Sequence, residues 1–358
     1  MIETAVTSGR LMRALSREPV DRTPVWFMRQ AGRALPEYRA IREHKTLLEI
    51  CREPDLCAEV TLQPVQSLGV DAAIIFADIM TPLIGIGIDI DIVDGVGPVV
   101  GHPIREASSV QKLRDIEPEE DVPEMLAAIG MVRRELDRSG DAALIGFSGA
   151  PFTLASYLIE GRASRDFRHT KLMMYSQTEV WAQLMERLAR MVTAYLLAQI
   201  EAGADAVQLF DSWAGALSPS DYVRFVRPYS RDVLEALEAC GVPIIHFSTG
   251  TAGFLEAVAA AGGTTVGVDW RIGLGDAWSR IGFDRGIQGN LDPMLLLGPI
   301  DELEAGARAV LDQAAGRPGH VFNLGHGVHP ETPVANLQRL VELVHGYQHS
   351  VDAGPRFP

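Results

Sequence analysis

Four arginines follow one short apolar run near the start of the chain, and their spacing indicates a site for anions. They are Arg29, Arg33, Arg39 and Arg42. The apolar run is Pro24–Met28, and Gly32 and Pro36 between the arginines are typical of a turn. A guanidinium binds a carboxylate or phosphate through two parallel hydrogen bonds. Because the net charge is −15, a cationic cluster here suggests a pocket for a multiply anionic small molecule. The alternative is a surface cluster paired with Glu37, Glu43 and Asp55, and the spacing alone leaves both open.

The composition is typical of a globular protein and argues against several functions. A hydrophobic content of 47% and 358 residues suffice for a large core, in one barrel or in two to three domains. Cys51, Cys57 and Cys240 lack the spacing of metal ligands and fit a reducing compartment. A pI near 5.0 argues against nucleic-acid binding. With neither a signal-like start nor a membrane-length apolar run, the expected location is the cytoplasm and no membrane partner is expected.

Eight short apolar runs recur along the chain, each bounded by turn residues. They are Pro24–Met28, Ala73–Ala77, Ala143–Phe147, Ala206–Phe210, Pro243–Phe247, Thr265–Asp269, Gly286–Gly289 and His320–Leu324. Segments of helical periodicity, such as Thr178–Ala202 and Ile300–Ala315, separate most of them. Alternating strands and helices predict parallel pairing, and eight such units predict a single (β/α)8 TIM barrel over residues 1–358. A doubly wound open sheet is the alternative fold.

Two segments do not fit the regular series of strands and helices. Leu83–Val110, which follows the second predicted strand, is rich in glycine and isoleucine and predicts an extra hairpin excursion. Residues 348–358 are expected to form a disordered C-terminal tail. Neither segment adds a second domain to the prediction.

Polar residues recur just beyond the predicted strands, where a parallel barrel places its chemistry. They are Arg29, Asp78, Ser148, Tyr157, Asp211, Ser212, Ser248, Asp269, Asn290, Asp292 and His326. His246 lies within the fifth strand. Because these residues come from segments far apart in the chain, their gathering at one rim predicts an active site.

Structural roles compete with functional ones at several of these positions. Asp78 can cap the turn that follows it, and Tyr157 can serve as an amphiphilic core residue. An Asp-Ser pair at 211 and 212 after a strand is common as a helix N-cap. His326 lies between two glycines, which allow a close approach of backbone to a ligand, and its alternative role is that of a packed, hydrogen-bonded histidine.

Three motifs resemble the uroporphyrinogen decarboxylase family. They are Pro-Val-Trp-Phe-Met-Arg-Gln-Ala-Gly-Arg at residues 24–33, Gly-Phe-Ser-Gly-Ala-Pro-Phe-Thr-Leu-Ala-Ser-Tyr at 146–157 and Asn-Leu-Gly-His-Gly at 323–327. The resemblance covers roughly residues 8 to 347. It implies a homodimeric (β/α)8 barrel of the haem pathway that works without a cofactor. The reaction implied is conversion of the four acetate side chains of uroporphyrinogen III to methyl groups, which yields coproporphyrinogen III.

The resemblance also implies roles for seven residues of the predicted rim. Arg29, Arg33 and Arg42 are expected to bind substrate carboxylates, and Asp78 is expected to be catalytic and to face the pyrrole N–H groups. Tyr157, Ser212 and His326 are expected to supply further polar contacts to the substrate. Arg29 is also a candidate proton donor, although only through a water molecule, because arginine is a poor acid. No metal or coenzyme is expected, because a protonated pyrrole can accept the electron pair itself.

Two competing functions fit the same architecture less well. Methyltransferases of this superfamily activate a thiol on zinc, which requires histidine and cysteine ligands. Here residues 245–250 read Ile-His-Phe-Ser-Thr-Gly, so Ser248 stands where a thiolate is needed, and no cysteine follows Cys240. A non-catalytic tetrapyrrole carrier is disfavoured because a pure anion carrier gains nothing from a negative charge at Asp78.

Overall fold

Seven of the eight predicted strands form one parallel sheet in the computed structural model, which describes residues 9–93, 95–140 and 142–348. The strands are β1 (Ala72–Ile74), β2 (Ile90–Val93), β3 (Gly97–Val100), β4 (Ala143–Gly149), β5 (Ala206–Asp211), β6 (Ile244–Ser248), β7 (Thr265–Gly267), β8 (Gly286–Leu291) and β9 (His320–Leu324). The parallel sheet runs β1-β4-β5-β6-β7-β8-β9, in chain order. A doubly wound sheet reverses its strand order at a switch point, so that alternative is wrong.

The first predicted strand, Pro24–Met28, forms only an isolated bridge. Val25 pairs in parallel with Phe322 of β9, and its carbonyl accepts a hydrogen bond from Asp71 N at 2.8 Å, just before β1. The segment therefore lies between the two edge strands of the sheet. Its pairing is irregular because side-chain oxygens, in place of carbonyls of a neighbouring strand, accept hydrogen bonds from its backbone N–H groups. Asp71 Oδ2 accepts from Val25 N at 2.8 Å, and Asn323 Oδ1 accepts from Met28 N at 3.2 Å.

Helices alternate with the strands of the parallel sheet and pack against it. They are α1 (Arg10–Leu15), α2 (Pro36–Arg42), α3 (Leu47–Cys51), α4 (Pro54–Leu68), α5 (Thr81–Gly85), α6 (Ala107–Gln111), α7 (Pro118–Asp121), α8 (Pro123–Ser139), α9 (Pro151–Glu160), α10 (Arg168–Ser176), α11 (Thr178–Ala202), α12 (Pro219–Phe225), α13 (Arg227–Glu238), α14 (Leu255–Ala259), α15 (Leu274–Ile281), α16 (Ile300–Ala314) and α17 (Val334–Gly346). Short 3-10 turns occupy Ala214–Ala216, Ala252–Phe254 and Pro293–Leu297. Within the described ranges, no helix is long and apolar enough to span a membrane.

The strands β2 and β3 form a separate antiparallel pair, in which Ile90 faces Val100 and Val93 faces Gly97. This hairpin falls inside the segment Leu83–Val110 and is consistent with the excursion predicted there. Ile90, Pro98 and Val100 of this hairpin are buried, whereas Val93 and Val96 are exposed. Of the tail expected at 348–358, residues 349–358 lie outside the described part of the chain.

An ion-pair network occupies the N-terminal end of the parallel sheet. Asp71, directly before β1, accepts hydrogen bonds from Arg10 Nη1 and His345 Nε2, both at 2.7 Å, besides the one from Val25 N. Arg10 also donates to both carboxylate oxygens of Asp21, at 2.7 and 2.8 Å. The network joins α1, the segment around Val25, β1 and α17. It therefore closes the end of the sheet opposite to the predicted rim.

Candidate active site

A cavity of about 850 Å³ opens at the C-terminal ends of the parallel strands. All seven residues for which a role is predicted line it: Arg29, Arg33, Arg42, Asp78, Tyr157, Ser212 and His326. They come from five separate parts of the chain and meet only in the folded structure. The structure thus brings the predicted site together in space, and the individual roles stay predictions.

Arg29 and Arg33 form no ion pair within the described part of the chain. Neither guanidinium forms an ion pair or a hydrogen bond with any residue that the structure describes, so pairing with nearby carboxylates such as Glu37 or Glu43 is wrong for these two. Burial and the neighbouring charge of Arg29 lower the pKa of Arg33 to about 10, so it remains charged at neutral pH. Arg29 also has a left-handed backbone, with φ of 61°. Such conformations are costly for non-glycine residues and are found mainly at functional sites.

Arg42 and Arg39 differ in their position relative to the cavity. Arg42 lines the cavity. Its Nη1 donates to the carbonyl of Lys45 at 2.7 Å, and this hydrogen bond holds the guanidinium in place. Arg39 does not line the cavity, and its Nη2 donates to the carbonyl of Pro330 at 2.8 Å. Of the four clustered arginines, three therefore face the cavity.

Asp78 lies just beyond the end of β1 and uses only one carboxylate oxygen within the protein. Its Oδ1 accepts from Met80 N at 2.9 Å, so the predicted turn-capping role is correct for that oxygen. Oδ2 accepts no hydrogen bond from the described residues and remains available to a ligand. Burial raises the pKa of Asp78, against the opposing effects of the Met80 N–H and of Arg29. The ionised form of Asp78 is therefore stabilised by a ligand that brings N–H donors or positive charge.

Tyr157 stands on α9 and is held by an aromatic contact. Its ring lies 3.9 Å from the ring of Trp213, centroid to centroid, at an interplanar angle of 31°. Burial and the charge of Asp78 raise the pKa of Tyr157 to about 12, so its hydroxyl stays protonated and can donate. The hydroxyl makes no hydrogen bond to Asp78 or to another described residue. It is therefore free to donate to a ligand carboxylate.

Ser212 follows β5 and borders the cavity with its side chain uncommitted. Its carbonyl accepts from Thr249 Oγ1 at 2.5 Å, which holds the backbone. The next short helix, Ala214–Ala216, has no side-chain cap, so the N-cap role considered for Asp211 and Ser212 is wrong.

His326 lines the cavity as a neutral group. Burial, and then the positive charges of Arg29 and Arg33, lower its pKa to about 4. The flanking glycines have packing roles. A Cβ at Gly327 would lie 2.4 Å from Arg29 Cδ, and one at Gly325 would lie 2.5 Å from the backbone N of Trp270. At both glycines the group that approaches the backbone closely therefore belongs to the protein, Arg29 at Gly327 and Trp270 at Gly325.

Asp211 and His246 are buried away from the cavity lining. Asp211 Oδ1 accepts from Thr153 Oγ1 at 3.0 Å, and burial raises its pKa to about 7. His246 is fully buried within β6, and burial lowers its pKa to about 4. His329, in contrast, does line the cavity.

Sequence analysis missed a row of aromatic side chains at the strand ends. Phe147, Phe210 and Phe247 lie on the neighbouring strands β4, β5 and β6 and line the cavity. Their ring centroids are 5.5 and 5.6 Å apart, in edge-to-face pairs. Each is the last residue of a predicted strand, and that shared position was a usable signal. This aromatic row makes one side of the cavity apolar, while the arginines make another side cationic.

The described residues contain no cluster of three or more His, Cys, Asp or Glu side chains that could hold a metal ion. Ser248, at the position considered for a zinc thiolate, is hydrogen-bonded to Thr251, with 2.7 Å between the two hydroxyl oxygens. Cys51 and Cys57 are buried, and Cys240 is exposed just beyond α13. The donor set for the zinc chemistry of the competing prediction is therefore not assembled among these residues.

The part of the chain that the structure describes is a parallel α/β fold with arginines, one carboxylate and an aromatic row around one cavity, an arrangement typical of an enzyme site for an anionic, partly apolar ligand. Residues 7–347 match the family model described as Uroporphyrinogen decarboxylase (URO-D). The chain belongs to the uroporphyrinogen decarboxylase family.

Relatives named uroporphyrinogen decarboxylase are similar over nearly the whole chain. The protein of Sorangium cellulosum is 54% identical over 336 residues, which are 94% of this chain and 95% of that protein. The protein of Streptomyces coelicolor is 55% identical over 342 residues, which are 96% and 95% of the two chains.

Solved structures support the fold alone. A methyltransferase from Methanosarcina mazei has a TM-score of 0.80 at 22% identity and covers 95% of this chain and 98% of its own. A B12-independent methionine synthase from Shewanella has a TM-score of 0.56 at 11% identity, with coverage of 84% and 89%. At such low identity these neighbours do not bear on the reaction.

Proposed function

We propose that this protein removes carbon dioxide from the four acetate side chains of uroporphyrinogen III and so produces coproporphyrinogen III for haem biosynthesis. The observation on which the proposal rests is the pair of unpaired cations Arg29 and Arg33 beside Asp78 in one large cavity of a chain that belongs to this family. The substrate supplies what the cavity needs: carboxylates for the arginines and pyrrole N–H groups for Asp78.

Arg29, Arg33 and Arg42 bind carboxylates at the rim of the tetrapyrrole. Arg29 and Arg33 form no ion pair with a residue that the structure describes, so a bound carboxylate supplies a counter-charge for them. The bidentate geometry also fixes the direction of an acetate group. Orientation matters because the bond that breaks must lie across the plane of the pyrrole ring. Tyr157, Ser212 and the neutral His326 add hydrogen bonds to the same groups.

Asp78 stabilises the cationic pyrrole that precedes loss of carbon dioxide. A proton is first added to the ring carbon beside the acetate. The bond between the methylene and carboxyl carbons then breaks, its electron pair enters the cationic ring, and carbon dioxide leaves. The methylene carbon takes up a proton and the ring carbon releases one, so each step consumes one proton in total. A fixed carboxylate in a dry cavity favours the cationic ring far more than it would in water.

A water molecule held by Arg29 passes a proton from solvent to the ring carbon, because a guanidinium is too weak an acid to give up its own proton. The protein acts without a metal or a coenzyme. It works as a homodimer in the cytoplasm and as a single barrel domain, in which the segment around Val25 takes the place of the eighth strand.

The direct test is incubation of the protein with uroporphyrinogen III under reducing, anaerobic conditions, with the products separated by carboxylate number. We expect coproporphyrinogen III together with four equivalents of carbon dioxide. Tight binding of the porphyrinogen without release of carbon dioxide would favour the carrier function instead.

The same assay tests the absence of a cofactor. After exhaustive dialysis against a chelator, with pyridoxal phosphate and thiamine diphosphate absent, we expect the rate to be unchanged. Activity that returns only when a metal or coenzyme is added back would contradict this part of the proposal.

A further inference from the structure

The hairpin β2–β3 has two exposed apolar side chains at the mouth of the cavity. Val93 is 38% exposed and Val96 is 50% exposed, although chains usually bury valine. Both line the same cavity as Asp78, together with Ile92 and Pro98 of the same hairpin. Apolar side chains that are exposed toward a cavity indicate a surface that a ligand covers.

The base of the hairpin is tied to the helix that bears Tyr157. Val100 is buried at the base, and its N–H donates to the carbonyl of Gly161 at 2.7 Å. Just beyond the hairpin, Ile104 N donates to the carbonyl of Leu158 at 2.8 Å. Leu158 lies on α9 and Gly161 directly follows this helix. Because of these bonds, the hairpin and Tyr157 are positioned by the same element.

We propose that Val93 and Val96 are substrate-contact residues that pack against the face of the tetrapyrrole. This inference rests on the function proposed above and adds residues to which the sequence motifs give no role. The carboxylates of the substrate lie on its periphery, so the arginines cannot cover its four pyrrole rings. The aromatic row covers them from the strand ends, and the hairpin adds a second apolar surface from outside the sheet. Exclusion of water by both surfaces strengthens the field of Asp78.

The hairpin contact has a consequence for the order of events. Each decarboxylation removes one carboxylate, so the arginines lose partners as the substrate passes from eight carboxylates to four. Apolar burial depends on area and is unaffected by this change. The hairpin therefore contributes a growing share of the affinity for the later intermediates and keeps them bound until the fourth acetate has reacted.

Steady-state kinetics on the double variant Val93→Ser/Val96→Ser tests the contact. With uroporphyrinogen III we expect KM to rise about five- to fiftyfold, because part of the apolar contact area is lost. We also expect free intermediates with five to seven carboxylates to accumulate. Affinity for coproporphyrin III, measured by fluorescence quenching, should fall as well. The variant Val93→Leu/Val96→Leu keeps an apolar surface and should stay within about twofold of the parent.

Val99→Ser is the matched control, since it makes the same change on the same hairpin at a residue that does not line the cavity. We expect this control to retain the KM of the parent. Parent-like KM and product distribution in Val93→Ser/Val96→Ser would overturn the proposal. An equal loss in Val99→Ser would also overturn it, because the cause would then be the stability of the hairpin. The proposed function is judged separately, by whether the parent releases carbon dioxide, and coproporphyrin affinity decides the hairpin contact in either case.

Discussion

Two aspartates flank the short strand β1, and they stand in opposite environments. Asp71, before the strand, accepts hydrogen bonds from Arg10, His345 and Val25 N. Burial alone would raise its pKa, but these partners lower it below the ordinary value. Asp78, after the strand, accepts one backbone hydrogen bond, and burial raises its pKa. The first carboxylate is satisfied by the protein, while the second remains unsatisfied until a ligand arrives.

The arginines nearest to these aspartates differ in the same way. Arg10 is paired with Asp21 and Asp71, and the hydrogen bonds with Asp21 are the main cause of its raised pKa. Arg29 and Arg33 form no ion pair with any described residue, and the pKa of Arg33 is lowered to about 10. Removing one partner of a buried ion pair leaves an uncompensated charge and lowers stability, whereas charged groups with perturbed pKa values in a cleft are typical of functional sites. We therefore expect substitutions at the N-terminal end of the sheet to change stability, and substitutions in the cavity to change activity.

The largest effect is expected for Asp78→Asn, which keeps the shape of the side chain and removes its charge. Loss of about 4 kcal/mol of transition-state stabilisation corresponds to roughly a thousandfold lower kcat. Binding of coproporphyrin III and the free energy of unfolding should change little. Steady-state kinetics measure kcat, fluorescence titration measures the binding of coproporphyrin III, and chemical denaturation measures the free energy of unfolding. Near-normal turnover would show that the charge of Asp78 has no catalytic part.

Arg29→Lys and Arg33→Lys should each lower kcat/KM about ten- to a hundredfold, because lysine keeps the charge but loses the bidentate fork. Part of the loss should appear in kcat, since the orientation of the acetate is affected. Arg39→Lys serves as the control because Arg39 lies in the same cluster but outside the cavity lining. Losses of the same size in all three variants would speak for a general charge effect and against individual carboxylate clamps.

At the opposite end of the sheet, Arg10→Met should lower the free energy of unfolding by about 2 kcal/mol, since it removes the hydrogen bonds to Asp21 and Asp71 and keeps the aliphatic stem. Chemical denaturation measures the change. kcat and KM at 25 °C should equal those of the parent. Reduced kcat in fully folded Arg10→Met protein would contradict the assignment of stability to the N-terminal end of β1 and of activity to its C-terminal end.

The smallest effect is expected for His326→Gln, which should lower kcat/KM about fivefold through loss of a neutral hydrogen bond. Because the pKa of His326 is lowered to about 4, the imidazole becomes charged only when the pH falls through that value. The profiles of kcat/KM between pH 5.5 and 8 should therefore be parallel for parent and variant. A change in the slope of the kcat/KM profile near pH 6.5 that is present only in the parent would mean that a charged His326 takes part in the reaction.

Local patterns in the sequence predicted the seven strands of the parallel sheet, the helix Thr178–Ala202 and the position of polar residues just beyond the strands. The reason is that the alternation of apolar runs with helical periodicity reports burial, which is a property of each segment by itself. The order of the strands follows from that alternation, because right-handed connections place successive strands side by side. The motifs around Arg29, Tyr157 and His326 were sufficient to indicate the family, and the resemblance indicated seven of the residues that line the cavity.

Only the tertiary structure decided which polar atoms are satisfied. Among the residues that the structure describes, Asp78 Oδ2 and the Arg33 guanidinium have no hydrogen-bond partner, and Gly327 makes room for Arg29; all three features depend on contacts between distant segments. The same holds for the irregular pairing of Pro24–Met28, where the side chains of Asp71 and Asn323 replace ladder hydrogen bonds. Residue types determined what chemistry was possible in this protein. Long-range packing determined which charges were left for a ligand, because a charge is neutralised by whatever the fold places beside it.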